Sequence, residues 1–104
     1  GLPGPALDRC REALRLAGDT DCRHVRACAL LGMARTLASV GRPDDADVPL
    51  GAALRLVRAN GYRVLEADAL AVHARIETAR GRTDAARAAA RAADDLRRSL
   101  RPPT

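Results

Sequence analysis

The sequence predicts an all-α fold, an α-α superhelix of about five helices stacked as antiparallel pairs, and three observations predict it. Apolar residues make up 47% of the 104, with no Phe or Trp and a single Tyr, and a large share of them is Ala. Ala has the highest intrinsic helix propensity, and a core without aromatic fillers forms by close approach of helices around small side chains, Leu and Val. No stretch alternates with period two, so no sheet is expected. The chain also repeats itself at an offset of 40 residues, with about a third of the positions of 1–64 identical to those of 41–104. Ala13-Leu14-Arg15-Leu16 falls on Ala53-Leu54-Arg55-Leu56, and Gly41-Arg42-x-Asp44-x-Ala46 falls on Gly81-Arg82-x-Asp84-x-Ala86. A fixed period between 20 and 50 residues is the mark of a solenoid.

Each period reads as two helices. The first helix, about 5–17, carries Ala6, Cys10, Ala13, Leu14 and Ala17 on one stripe and ends at Gly18, with Asp19, Thr20 and Asp21 available to cap the next. In the second, about 22–40, Leu30, Met33, Ala34 and Leu37 stand at i, i+3, i+4 and i+7, and Gly41 supplies the stop. The third, about 46–59, presents Ala46, Leu50, Ala53, Leu54 and Val57 and ends at Asn60-Gly61; Pro49 would clash inside it, so it is expected to start late, with Asp47 as cap. In the fourth, about 62–80, the apolar load sits on Leu65, Ala69, Val72 and Ile76, while His73 and Glu77 replace the Met33 and Leu37 of the earlier copy. The fifth, about 84–100, is Ala-rich, with Leu96 and Leu100 as its large residues, and reads as a terminal repeat.

The series Leu30-x-x-Met33-Ala34-x-x-Leu37-x-x-x-Gly41-x-x-x-x-Ala46-x-x-x-Leu50-x-x-Ala53 resembles the tetratricopeptide repeat. Its marks are large, large, small and large positions, a Gly at the turn, then Ala, large and Ala. The period is longer than the family's usual 34, with the extra residues near Asn60–Arg63. Longer repeats of this kind are similar to those in helical arms of actinobacterial signalling ATPases and transcriptional regulators. The resemblance implies one tetratricopeptide-like domain over residues 1–104, two and a half repeats, and the start inside a repeat favours a fragment of a longer protein. It implies a concave groove lined by the first helix of each repeat, binding a peptide or a protein subunit. Carried over residue by residue, the groove positions are Cys28, Leu31, Arg35 and Ala38, then Asp68, Ala71, Arg75 and Thr78.

Arg35 and Arg75 stand at the same place in the two copies, and two planar guanidinium forks suit a carboxylate or phosphate, hence an acidic partner. The alternative is that both are ordinary solvated Arg. His73 and Glu77, four apart on one helix face, form a polar seam that is hydrogen-bonded and turned to solvent or a partner; two such residues fall short of a metal set. No cofactor is expected. Cys10 matches Leu50 and reads as a small core residue, and Cys22 matches Tyr62 at a helix start. No nucleophile with a base and oxyanion hole, and no Gly-rich phosphate loop, can be picked out, so the chain is not expected to be an enzyme.

All 18 basic residues are Arg, against 10 Asp and 3 Glu, for a net charge of +5. The Arg residues are spread along the chain without a basic run or stacking aromatics, which argues against nucleic acid as the partner, although Arg80, Arg82, Arg87, Arg91 and Arg98 would give one Arg-rich outer face for that alternative. A second alternative is a purely structural repeat, a homo-oligomer formed through its end helices. Three irregularly spaced cysteines argue for a reducing compartment, no apolar run approaches membrane length, and Gly1–Pro5 has no charged leader, so the expected location is the cytoplasm.

Overall fold

The computed structural model describes residues 3–20 and 22–102, with backbone alone for Pro3 and residues 17–20. Five helices follow one another: α1 (Pro3–Thr20), α2 (Arg23–Ser39), α3 (Pro43–Asn60), α4 (Arg63–Ala79) and α5 (Thr83–Ser99). The described residues hold no strand. The starts of α2 and α4, and of α3 and α5, lie 40 residues apart, so the sequence period is also the period of the helix pairs. Each helix packs on the next, and α2 packs on α4 as well; among the described residues α1 does not touch α3, nor α3 touch α5. The molecule therefore has two layers, α2 and α4 against α1, α3 and α5. With extents of 39 × 32 × 22 Å it forms a short row.

The turns explain the regularity. Gly41, Gly61 and Gly81 adopt φ of 79°, 68° and 77°, and behind them Arg42, Tyr62 and Arg82 donate their backbone N–H groups to the carbonyls of Leu37, Val57 and Glu77, each at 2.9 Å. This is the six-to-one closure that a left-handed residue permits at a helix end. The carbonyls of the same three residues then accept from Ala46, Glu66 and Ala86 and open the next helix. Open space surrounds a Cβ placed on Gly61, so Gly61→Ala is strained by φ alone. It should cost about 1–2 kcal/mol in urea unfolding, whereas Gly51→Ala, inside α3 with only the Arg55 guanidinium in ordinary contact, should gain about 0.5–1 kcal/mol. Equal effects at the two positions would refute this account.

Two boundaries differ from expectation. The third helix does not start late: it begins at Pro43, and Pro49 is buried in its interior. Pro43 occupies the first turn, where no N–H is needed, Asp44 and Asp45 face the positive end of the helix, and Arg42 holds Asp45 at 2.8 Å. Arg80 reaches over from α4 to Asp44, Asp47 and the Pro43 carbonyl, so tertiary contacts secure a turn that Pro49 would otherwise weaken. The α1 backbone stays helical through Thr20, beyond Gly18, and the residue capping α2 is Cys22, which makes no side-chain cap bond. The caps expected of Asp19, Thr20 and Asp21 lie outside the described side chains.

The core runs through the row: Leu7, Leu31, Ala34, Leu37, Ala46, Leu50, Ala53, Ala69, Val72 and Ile76. On α4 the apolar side is the expected one, with Ala69, Val72 and Ile76 buried and Leu65 packed against them. On α1 the core residue is Leu7, not the Ala6, Cys10, Ala13 and Leu14 stripe, which is half-buried. No helix among the described residues is long and apolar enough to cross a membrane.

Candidate functional site

The two layers leave a recess of about 150 Å³ where α2, α4 and α5 meet, lined by Arg35, Asp68, Ala71, Val72, Arg75 and Arg97. Arg35 and Arg75, the matched pair, thus reach one recess, and both are exposed. Among the described residues neither guanidinium has a hydrogen-bond or carboxylate partner. Arg97 donates to Asp68 at 3.2 Å, and both side chains are partly exposed. Three guanidinium groups share the recess with one carboxylate, so it carries excess positive charge that an anion can neutralise.

The other groove positions divide. Ala71 lines the recess. Leu31, at 3% exposure, belongs to the core and offers nothing to a ligand, because α1 and Leu7 cover its side of α2. Ala38 packs on the core, and Thr78 lines a different groove at the outer face of α4 and α5. Cys28 is exposed, with Sγ 3.9 Å from His24 Nδ1. Partial burial pushes its thiol up, and Asp68 and Cys22 push it further, so it rests as a thiol. Cys10, half-buried, has its Sγ where a Cβ on Gly32 would come within 3.0 Å, and its thiol is also pushed up by burial, against a lowering influence from Arg35. The start of α2 is tied to the α3–α4 turn by the His24 and Tyr62 rings, 5.6 Å apart edge to face, and by Arg23 donating to Asn60 at 3.3 Å.

Arg97 is the recess residue that the repeat did not disclose. Its counterpart is Val57, fully buried, so a charge on the apolar stripe of the last helix was the available signal.

The expected polar seam is turned to solvent only at His73, whose side chain is 40% exposed. Glu77 is 4% exposed, and its carboxylate accepts from Arg80 at 2.9 Å and from Arg82 at 3.5 Å, with His73 Nε2 at 3.8 Å. Arg80, held by Asp47 first and then by Asp44 and Glu77, has its pKa pushed above the ordinary guanidinium value and stays charged. These groups stitch the end of α4 to the start of α3. No three His, Cys, Asp or Glu side chains among the described residues are grouped to hold a metal ion. The Arg-rich outer face is also reduced, since Arg80 is largely buried in this network and Arg98 pairs with Asp95.

No known protein family, curated protein or solved structure matches the chain.

Proposed function

We propose that this chain is a tetratricopeptide-like interaction module, an arm of a larger bacterial signalling or transcriptional regulator, that binds an acidic peptide or subunit in the groove of α2 and α4. The observation that carries this reading is the convergence of Arg35 and Arg75 on one recess with no carboxylate partner for either among the described residues. Some exposed Arg residues pair with a carboxylate three positions away, as Arg15 does with Glu12 at 2.6 Å and Arg42 with Asp45 at 2.8 Å. Arg35 and Arg75 do not, and what sets them apart from the other unpaired Arg of the described residues is that they share one recess. Each fork can accept a ligand carboxylate through two parallel N–H donors. Arg97, already against Asp68, can exchange that partner for a ligand carboxylate at small cost, because the pair is solvated.

Fluorescence anisotropy with a labelled Asp/Glu-rich peptide tests the proposal. Arg35→Glu and Arg75→Glu should each weaken binding about tenfold, about 1.4 kcal/mol, with unchanged far-UV circular dichroism. Arg63→Glu, on an exposed position outside the recess, should matter little. Peptide binding that is indifferent to both recess reversals would sink the proposal. Duplex DNA binding with a steep salt dependence, insensitive to Arg35→Glu, would assign the net charge to nucleic acid instead.

A further inference from the structure

The outer face of α4 and α5 carries an open groove of about 290 Å³ lined by Ala74, Thr78, Thr83, Ala86, Arg87 and Ala90. Forty residues earlier stand Ala34, Ala38, Pro43, Ala46, Asp47 and Leu50, and in this molecule those positions form the seat of a helix. Ala34, Ala46 and Leu50 are buried in one cluster with Ala69, Val72 and Ile76 of α4, and Ala38 packs against it. At the rim Arg80 of α4 pairs with Asp47 and donates to the Pro43 carbonyl at 3.4 Å. The open groove is therefore the helix seat of α2 and α3 reproduced one period later, uncovered among the described residues.

Two substitutions between the seats define what the second would hold. Leu50 becomes Ala90, which removes a large side chain and leaves room for a bulkier aliphatic residue on the incoming helix. Asp47 becomes Arg87, which reverses the charge that meets Arg80 in the occupied seat. We propose that this face is a docking site for an amphipathic helix of a partner protein, lying as α4 lies on α2 and α3. That helix carries a large aliphatic residue against Ala90 and a carboxylate, where α4 has Arg80, against Arg87. A second copy of the chain fits less well: self-complementary pairing would set Arg87 of each copy on a patch that already holds the other's Arg87. The site is separate from the arginine recess and does not depend on it.

The test appends a copy of residues 62–81, the helix that fills the occupied seat, after Thr104 through a flexible Gly-Ser linker, which supplies a high effective concentration. Two versions differ at the counterpart of Arg80, one keeping Arg and the other carrying Glu. Hydrogen exchange of the appended helix should show at least about tenfold protection in the Glu version and several-fold less in the Arg version. Ala90→Arg, in the groove, should abolish the protection, while Ala88→Arg, on the exposed side of α5, should not. An Arg87→Asp change should reverse the preference between the versions. No protection in the Glu version, or no preference for Glu over Arg, would overturn the proposal. Concentration-dependent dimerisation of the unextended chain that Ala90→Arg abolishes would also overturn it, by assigning the face to a second copy.

Discussion

Replacing Arg80 with alanine should destabilise the protein more than any other exchange of a charged residue, whereas the double replacement Glu77→Leu with Arg80→Val should leave stability unchanged or raise it. The reason lies in Glu77, whose side chain is 6% exposed and whose nearest cation is Arg80. A carboxylate left buried without its principal partner costs about 3–5 kcal/mol, and the low end applies to Glu77 because Arg82 and His73 remain near it. In a domain of this size that corresponds to a fall in Tm of about 12–20 °C. The contacts of Arg80 with Asp44 and Asp47 add little, since those carboxylates are 92% and 50% exposed. Glu77→Leu alone should be milder, because Arg80 keeps Asp44 and Asp47. The chain already contains the apolar solution. At the equivalent positions stand Leu37, buried in the core, and Val40, half-exposed. A buried ion pair exchanged for well-packed apolar residues is commonly neutral or stabilising. Thermal unfolding of the three variants, followed by circular dichroism, decides the matter; a double variant as unstable as Arg80→Ala would show that the ion network does more than neutralise Glu77.

Glu77 also shows where reading from sequence stops. The 40-residue period, the helix number and the turn glycines are all local signals, and each corresponds to a feature of the structure. Which side of a helix is buried is not local, because it depends on how many neighbours the helix has. Ala27 and Ala29 are two residues apart, about 200° round the helix, yet they are 0% and 6% exposed. Ala67 and Ala69 repeat this at 1% and 0%. Helices α2 and α4 are enclosed from opposite sides, so a single apolar stripe underestimates their buried arc, and Leu31 and Glu77 fall in the part it misses. By contrast α5, which among the described helices packs on α4 alone, buries Ala86, Ala89 and Ala93 on one stripe. The recess was legible at Arg35 and Arg75 because they repeat. Arg97 was not, because it breaks the repeat at Val57. Pro49 misled for a related reason: the rule against interior proline is local, and the Arg80 contacts that hold the first turn of α3 come from 36 residues away.

Ile76→Ala should bring the protein close to the edge of folding at 37 °C, and with it the recess. Ile76 is fully buried and is, with Val57 and Val72, among the largest side chains so enclosed. The first copy has no equivalent bulk: Thr36 stands in its place and spends its hydroxyl on the Gly32 carbonyl at 2.8 Å, and Gly32 stands in place of Val72. At the seam between the two helix pairs α4 sets Val72 and Ile76 into a cluster that holds the small Ala34, Ala46 and Ala53 beside Leu37 and Leu50. Truncating Ile to Ala at such a site costs about 2–5 kcal/mol, through lost burial and the cavity left behind. Backbones already in close approach around Ala cannot collapse much further, so the upper half of that range is expected. Against a total stability of about 5–15 kcal/mol this is a large share. Urea unfolding should show a lower midpoint with an unchanged slope, and Ile76→Val should cost only about 1 kcal/mol. Arg75 immediately precedes Ile76 on α4, so whatever seats Ile76 also sets the position of the guanidinium that shares the recess with Arg35. Acidic-peptide affinity should accordingly survive Ile76→Val and fall with Ile76→Ala even at temperatures where that variant is still folded. Full affinity in folded Ile76→Ala would mean that the recess does not depend on how α4 is seated.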